Sequence, residues 1–251
     1  MIEKLMEAQL KGISAKKILD VGPGYSNFGR LSAKLTGATE ITFVDCNQNV
    51  LDWQTERCKG LALDCVYLRK RLDRHDIFEL TEQYDLILCQ EILEHLRGPE
   101  QLLSILTRSL SDGGRIIITV PTKRSERWLR MLNPHYMEDE QFGHVYEFDE
   151  PTLRGMLQDV GLVPLVFLAT QPHYFVGHTW LIGSRQQIDG STGKKISKGI
   201  SVTIFDYLTR YSRHFFELTG SEKWGRLLPR NYFIIATRAP AMTPELDAAV
   251  L

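Results

Sequence analysis

An apolar segment ends on a carboxylate and runs directly into a glycine-rich turn in the sequence Lys16-Lys17-Ile18-Leu19-Asp20-Val21-Gly22-Pro23-Gly24-Tyr25-Ser26-Asn27-Phe28-Gly29. Glycine allows the backbone to turn sharply after a buried strand and leaves its N–H groups open to a ligand. The N-terminus of the helix that follows favours a polar or anionic ligand. The pattern therefore predicts a strand, a turn and a helix that bind a nucleotide-like cofactor.

Short apolar segments alternate with helical patterns, which is typical of a mostly parallel sheet covered by helices. The predicted strands cover residues 17–21, 40–44, 64–69, 84–89, 114–120, 163–169 and 231–238. The predicted helices cover residues 27–35, 50–58, 98–110 and 151–160. The turn at 111–114 is predicted to precede the fifth strand, Asp149 to cap the last helix and Gly161 to end it. The sequence thus predicts a doubly wound α/β fold.

Composition limits the classes of partner. The 251 residues are 43% hydrophobic and 24% charged, which is ordinary for a globular chain. Thirty basic residues balance 31 acidic ones, so the overall charge favours neither nucleic acid nor an anionic membrane. The four cysteines form no C-x-x-C pair and are interpreted as reduced, mostly buried thiols. Residues 1–12 are too charged for a secretory signal, and the chain is expected to be cytoplasmic.

The chain is predicted to have one main domain with an insertion. Residues 1–170 and 231–238 follow the α/β pattern, whereas residues 171–230 are rich in aromatic side chains and loop-forming residues. Apolar residues at helical spacing predict an amphipathic helix near 200–218. The insertion is interpreted either as a cap over a substrate or as the surface of a homodimer. Residues 239–251 are predicted to fray.

Two carboxylates follow the second and third predicted strands. Asp45 stands where its side chain can accept hydrogen bonds from both ribose hydroxyls of an adenosine that lies over the glycine turn. Asp73 stands where the adenine N6 amino group would need an acceptor. Because the same layout also serves NAD dehydrogenases, these features alone leave the cofactor open.

Two later motifs narrow the choice of cofactor. The fourth strand runs into Gln90-Glu91-Ile92-Leu93-Glu94-His95-Leu96, and the fifth opens with the sequence Gly113-Gly114-Arg115-Ile116-Ile117-Ile118-Thr119-Val120-Pro121. Over about residues 15–165, the chain resembles the class I S-adenosylmethionine-dependent methyltransferases, and among them the UbiE/UbiG-like group. This resemblance implies a seven-stranded sheet whose last strand is antiparallel, with S-adenosylmethionine as the cofactor. It makes an NAD dehydrogenase the least favoured alternative.

The resemblance also assigns parts of the cofactor to positions in this chain. The turn from Asp20 to Gly24 would face the methionine portion, and the segment at Gln90 would contribute to the same end. Asp73 and Arg74 would border the adenine. The complete set of predicted cofactor-binding residues is Asp20, Gly22, Pro23, Gly24, Asp45, Cys46, Asp73, Arg74 and Gln90. Ser26 replaces a glycine that is frequent in the family, and it is small enough to preserve binding.

Several titratable residues follow the fourth and fifth strands, at the edge where open α/β sheets bind ligands. His144, His95 and Glu91 are the predicted catalytic residues, with His144 favoured as a general base. The structural alternative is that Glu94 and His95 only support the beginning of a helix. No metal is assigned, although Glu91, Glu94, His95 and His144 resemble the metal sites of small-RNA 2′-O-methyltransferases.

The predicted reaction is methyl transfer to a small or medium organic acceptor, with oxygen favoured as the methylated atom. One alternative is metal-assisted 2′-O-methylation of RNA ribose. Lys123, Arg124, Arg127 and Arg130 form the basic cluster nearest to such a substrate, although they also fit a solvated helix face around Trp128 and Leu132. A third alternative is a module that binds a cofactor or partner without catalysis.

Overall fold

Seven strands form a single mixed sheet in the computed structural model of the chain, in the order β3-β2-β1-β4-β5-β7-β6. The structure describes residues 2–72, 80–132, 143–170 and 229–240, and individual residues between 207 and 227. The strands are β1 (Lys17–Val21), β2 (Glu40–Asp45), β3 (Asp64–Arg69), β4 (Tyr84–Gln90), β5 (Leu110–Pro121), β6 (Leu162–Thr170) and β7 (Asn231–Arg238). β1 to β5 are parallel, whereas β7 is antiparallel to both β5 and β6. The predicted fold and its antiparallel last strand are confirmed.

The helices lie on both faces of this sheet. They are α1 (Ile2–Leu10), α2 (Phe28–Thr36), α3 (Gln48–Cys58), α4 (Pro99–Arg108), α5 (Lys123–Leu132) and α6 (Glu150–Asp159). Residues from α1, α2 and α3 pack in one apolar core with side chains such as Ile18 and Leu86. Residues from α4 and α6 pack in a second core with Leu19 and Ile87. Adjacent residues of one strand thus enter different cores, because successive side chains point to opposite faces.

The ends of α6 follow the predicted capping pattern. The Asp149 carboxylate accepts a hydrogen bond from the backbone N–H of Thr152 at 3.0 Å, which satisfies a donor that the first helical turn leaves open. Gly161 follows the helix with φ of 77°, a left-handed conformation that glycine adopts without strain.

The beginning of β5 differs from the prediction. The 111–114 segment was expected to be a turn before the strand, whereas β5 already begins at Leu110, which pairs with Tyr84. The register then shifts, and the next aligned pair is Leu86 with Arg115. The turn residues therefore form an irregularity inside the strand, a local arrangement that glycine-rich sequences permit.

Most of the aromatic insertion, at residues 171–230, lies outside the described residues, so its interpretation as a cap or dimer surface remains a prediction. The same holds for the tail at 241–251. Within the described parts of the chain, no helix is both long and apolar enough to cross a membrane.

Candidate active site

The glycine turn lies between β1 and α2, at the carboxyl edge of the sheet. Gly22 and Gly24 both have positive φ values, 62° and 50°. A Cβ atom at Gly22 would overlap the side chain of Ile92, which belongs to the segment after β4. Glycine is therefore required at position 22 for two reasons, the backbone conformation and the close approach of the neighbouring segment. The turn after β1 and the segment after β4 pack directly against each other.

Asp45 connects the end of β2 to this turn. Its carboxylate accepts a hydrogen bond from the backbone N–H of Asn47 at 2.8 Å. Partial burial raises the pKa of Asp45, although hydrogen bonds from the backbone N–H groups of Asn47, Gly24 and Cys46 oppose the increase. The carboxylate thus stands beside the glycine turn, as the sequence predicts. Cys46 follows it at the surface, unlike the mostly buried thiols that were expected.

Asp20 is a buried residue of β1, two positions before Gly22 of the glycine turn. Its side chain is 4% exposed, and the oxygen Oδ2 has no hydrogen-bond partner among the described residues. Burial raises the pKa of Asp20 to about 7, while the charge of Arg30 and a hydrogen bond from the backbone of Gly29 oppose the shift. Asp20 is therefore a buried carboxyl group that contacts the beginning of α2 at Gly29.

Three further polar atoms at this edge are buried without a partner in the described part of the chain. They are both side-chain amide atoms of Gln90 and the hydroxyl oxygen of Thr119. Gln90 ends β4 and is aligned with Thr119 on β5, so these groups are neighbours in the sheet. Buried polar groups are nearly always hydrogen-bonded, and an unexplained set points to a missing ligand. A polar ligand at the carboxyl ends of β1, β4 and β5 would satisfy them.

Asp73 and Arg74, the predicted adenine neighbours, lie outside the described residues. The structure does bring together the end of β1, the glycine turn, the end of β2 and Gln90. These elements meet because the carboxyl ends of parallel strands share one edge of a sheet.

Glu91 has an unusual backbone. Its φ of 56° is the only positive value at a non-glycine residue in the described parts of the chain. The backbone N–H of Glu91 donates to the carbonyl oxygen of Thr119 at 2.9 Å, and its carboxylate accepts a hydrogen bond from the side-chain amide of Asn231. Such conformations cost energy and are concentrated at functional sites. The contacts to β5 and β7 hold Glu91 in this conformation.

Glu94, His95 and His144 form a compact cluster beyond Glu91. One potential ligand atom from each residue lies within 4.8 Å of the others. Glu94 and His95 belong to a short 3₁₀ turn, Leu93–His95, and His144 comes from the segment before α6. Two hydrogen bonds join these segments, because the backbone carbonyl of Glu94 accepts from the N–H groups of Val145 and Tyr146 at 2.8 and 3.0 Å.

The two imidazole rings have defined orientations. Nδ1 of His95 is 3.0 Å from the carbonyl oxygen of Gly143, and Nδ1 of His144 is 2.7 Å from Oε2 of Glu126. The ring centroids are 5.0 Å apart, with the planes at 74°. His144 is only 8% exposed. Each ring is therefore oriented by a hydrogen bond at its Nδ1 atom.

Glu126 and Arg230 support His144 and were not predicted from the sequence. The guanidinium Nη1 of Arg230 donates to Oε1 of Glu126 at 2.6 Å and to the hydroxyl of Ser125 at 3.0 Å. Burial of Glu126 opposes its ionisation, but the hydrogen bond from His144 and the charge of Arg230 outweigh it and lower the pKa of Glu126 to about 2. Glu126 is thus a buried carboxylate between two donors.

The spacing of α5 contains a signal for this role. Ser125, Glu126 and Leu129 are buried, whereas Trp128 is exposed. Positions 125, 126 and 129 share one face of a helix. Glu126 lies on the same helix face as the buried Leu129, and a carboxylate at such a position is expected to be paired. The three arginines of this segment hide that signal, because they are typical of a solvent-exposed helix.

The basic cluster on α5 is mostly paired within the chain. Lys123 forms an ion pair with Asp149 at 3.0 Å, and Arg127 and Arg130 both contact Glu147. Intramolecular pairing reduces the positive charge that could attract a polyanion. This part of the structure therefore differs from a typical phosphate-binding surface.

Comparison with known proteins identifies the family of the chain. A family model described as a methyltransferase domain matches residues 1–165. The chain belongs to this family. Residues 1–165 therefore form a class I methyltransferase domain, and the predicted family and its cofactor S-adenosylmethionine are confirmed.

The similar proteins are distant in sequence. A ubiquinone biosynthesis O-methyltransferase of Klebsiella pneumoniae is 26% identical over 118 residues, which cover 47% of this chain and 48% of the relative. Its counterpart from Proteus mirabilis is 21% identical over 51% of each chain. The methyltransferase thus spans about half the length of the curated relatives that it matches. An S-adenosylmethionine-dependent methyltransferase from Mesorhizobium loti has the same fold, with a TM-score of 0.59, 14% identity and coverage of 95% of this chain and 98% of that one.

Proposed function

We propose that this methyltransferase methylates an oxygen atom of a small organic acceptor. The observation that carries the proposal is the compact, mostly buried cluster of Glu94, His95 and His144, one short segment beyond the unpartnered amide of Gln90. The cluster offers basic groups at the sheet edge where the cofactor belongs. The curated relatives are named as O-methyltransferases, which supports oxygen as the methylated atom.

The chain's own residues fit the cofactor. Asp45 would accept hydrogen bonds from the ribose hydroxyls, the turn containing Gly22 and Gly24 would lie along the cofactor, and Gln90 would bind the amino-acid end. Bound S-adenosylmethionine supplies a methyl group that is already activated by a positively charged sulfur. The protein's contribution is then to hold the acceptor in line with that methyl group, an effect that can supply about 7–11 kcal/mol in well-aligned reactions.

An oxygen acceptor must also lose a proton. In such a reaction the O–H bond of the acceptor would break and its proton would leave toward the cluster. The oxygen would bond to the methyl carbon, whose bond to the cofactor sulfur would break. His144 and His95 are the predicted groups at this point, and Glu91 lies directly before them. Positioned acid–base groups typically contribute about 10²–10⁴-fold to such steps.

Metal-assisted methylation of RNA ribose is the second candidate function. The cluster of Glu94, His95 and His144 favours it, because these residues belong to the pattern that resembles the RNA enzymes. The ion pairs of Lys123, Arg127 and Arg130 speak against it, since they reduce the charge available to a phosphate backbone. We therefore rank the small-molecule acceptor first.

The experiment is to incubate the purified chain with S-adenosylmethionine carrying a labelled methyl group. One reaction receives the low-molecular-weight fraction of a cell extract, and a parallel reaction receives its RNA. We expect label in a small molecule, with mass spectrometry placing the new methyl group on oxygen. Label on an amine nitrogen or a carbon, or label confined to RNA, would contradict the proposal.

A further inference from the structure

Gln54 is a buried polar residue on the apolar face of α3. Its side chain is 0% exposed, and its helix neighbours Leu51 and Cys58 belong to the core. Nε2 of Gln54 donates to the carbonyl oxygens of Gly24 at 2.8 Å and of Ser26 at 3.1 Å. A buried amide is costly unless it is hydrogen-bonded. The amide nitrogen of Gln54 thus uses both of its hydrogens on the glycine turn.

Arg30, in the first turn of α2, fixes the orientation of this amide. Its guanidinium donates to Oε1 of Gln54 and, through Nη2, to the carbonyl oxygen of Ser26 at 3.3 Å. Because a guanidinium can only donate, the atom of Gln54 that faces it is the oxygen. Arg30 is itself stacked on Trp53, whose ring centroid lies 5.1 Å from the guanidinium carbon. The amide nitrogen of Gln54 therefore faces the glycine turn.

These contacts determine the direction of two backbone N–H groups. In a planar trans peptide, the N–H is antiparallel to the carbonyl of the preceding residue, and the described residues contain no cis peptide bond. The carbonyls of Gly24 and Ser26 point toward Gln54, so the N–H groups of Tyr25 and Asn27 point away from it. Neither N–H donates to any of the described residues. Both groups are open to a ligand of the turn.

Gly24 is held through both of its backbone groups. Its N–H donates to the carboxylate of Asp45, and its carbonyl oxygen accepts from Gln54. Its φ of 50° lies in the left-handed region, which glycine adopts without strain but does not prefer over other conformations. The two contacts select this one conformation. Gln54 therefore also affects the orientation of the turn relative to Asp45.

We propose that Gln54 is a positioning residue for the cofactor, because it fixes the N–H groups of Tyr25 and Asn27 toward bound S-adenosylmethionine. Gln54 does not touch the cofactor, since its side chain is fully buried and its polar atoms are already used. A turn that is fixed before binding loses less conformational freedom when the ligand binds. The inference rests on the proposed position of the cofactor along the turn, but not on the identity of the methyl acceptor.

The test measures the affinity of the full chain for S-adenosylhomocysteine by calorimetry. Gln54→Met preserves the length of the side chain and removes both donors, and we expect it to weaken binding about 5–50-fold. Gln54→Glu preserves an acceptor for Arg30 but places a carboxylate oxygen against the carbonyls of the turn. We expect it to weaken binding at least as much. Normal affinity in a folded Gln54→Glu variant would show that Gln54 only anchors Arg30, and would overturn the inference.

Two control variants separate positioning from a general loss of stability. Gln158→Met makes the same substitution at an exposed position near the end of α6 and should leave the affinity unchanged. Asp85→Ala removes hydrogen bonds from the backbone of Lys16 and Lys17 at the opposite edge of the sheet. It should lower stability without changing the affinity. The inference is overturned if Asp85→Ala weakens binding as much as Gln54→Met does.

Hydrogen exchange followed by mass spectrometry gives a local readout of the turn. In Gln54→Met without ligand, we expect faster exchange across residues 22–30 and unchanged exchange in β4 and β5. Uniformly faster exchange along the chain would indicate a purely structural role and overturn the inference. If Gln54→Met does not fold, Arg30→Gln takes its place, because Arg30 is only partly buried. This variant should weaken binding about two- to fivefold and show the same local change in exchange.

Kinetics provide a further distinction. In the reaction with labelled S-adenosylmethionine and the low-molecular-weight extract, Gln54→Met should raise the KM for the cofactor by the factor found in calorimetry. The rate at saturating cofactor should stay within about twofold of that of the unmodified chain. A lower saturated rate with an unchanged KM would contradict a role in cofactor binding.

Asp45→Ala distinguishes failure of this inference from failure of the proposed cofactor position. Weaker binding in Asp45→Ala with normal binding in a folded Gln54→Met would retain that position and overturn the role of Gln54. Normal binding in both variants would overturn the position and the inference together. Label on a nitrogen acceptor, with weaker binding in Gln54→Met, would overturn the oxygen acceptor and retain the role of Gln54.

Discussion

At the residue scale, the proposed cofactor site depends on Asp45. Its carboxylate accepts the backbone N–H of Asn47 and lies close to that of Gly24. A carboxylate that already contacts the glycine turn is pre-oriented for a ribose lying over the same turn. Replacement of Asp45 should therefore affect the cofactor much more than the acceptor.

We expect Asp45→Ala to weaken S-adenosylmethionine binding by about 10–100-fold, because hydrogen bonds to a charged acceptor contribute roughly 1.5–3 kcal/mol. Calorimetry of the purified chain measures the effect. Asp52→Ala removes the same charge from an exposed position on α3 and should leave the affinity unchanged. Equal affinities for Asp45→Ala and the unmodified chain would show that the ribose lies elsewhere.

At the element scale, Asp85 connects three strands at the edge opposite the active site. Its Oδ2 accepts the backbone N–H groups of Lys16 and Lys17 at 2.8 and 3.0 Å, and Oδ1 accepts the Ser111 hydroxyl at 2.8 Å. Burial raises the pKa of Asp85, but the hydrogen bonds from Lys17, Lys16 and Ser111 outweigh it and leave the pKa below its usual value. β4 is thereby fixed to β1 and to the irregular beginning of β5.

Asp85→Ala should lower the free energy of unfolding by about 1–2 kcal/mol near neutral pH, since several hydrogen bonds to a partly exposed carboxylate are lost. Because the folded pKa is lowered, this stabilisation is present above the unfolded pKa of Asp and is lost as the pH falls below it. Urea denaturation at about pH 7 and about pH 3 measures both effects.

The exposed Asp112→Ala variant provides the control for Asp85 and should change stability by less than about 0.5 kcal/mol. The assigned role would be contradicted if the difference in free energy of unfolding between Asp85→Ala and the unmodified chain were larger at acid pH than at neutral pH.

Sequence patterns predicted these elements well because strand and helix signals are local. Strand β1, the glycine turn and the cap at Asp149 each depend on a few adjacent residues, so their structures agree with the prediction. The irregular start of β5 was missed because Tyr84 and Asp85, which are distant in sequence, determine its register. Its glycines alone are equally compatible with an ordinary turn.

At the scale of the whole molecule, a buried ion pair connects Arg230, directly before β7, to Glu126 on α5. Arg230 and Glu126 are more than one hundred positions apart in sequence, and both are almost completely buried. The backbone N–H of Thr122 also donates to the carbonyl oxygen of Arg230 at 2.9 Å. Arg230, directly before the last strand, thus affects the environment of His144 through Glu126.

Arg230→Met should lower the free energy of unfolding by about 3–5 kcal/mol, because Glu126 would remain as a buried charge with one donor fewer. Arg230→Met combined with Glu126→Gln should cost less than the sum of the two single changes. Chemical denaturation in the presence of a chelator measures all three variants. Lys59→Met removes an exposed partner of Glu56 and should change stability by less than about 1 kcal/mol. Strictly additive costs would show that Arg230 and Glu126 do not stabilise each other.

The sequence by itself determined the cofactor half of this methyltransferase. The glycine turn and Asp45 are each followed within a few residues by the backbone groups they need, so their spacing predicts the site. The tertiary structure decided the other half. Glu94, His144, Glu126 and Arg230 come from four separate segments, and only folding brings them together. A buried carboxylate such as Glu126 needs a donor or an opposite charge beside it. The fold provides these as His144 and Arg230, which are distant from Glu126 in sequence.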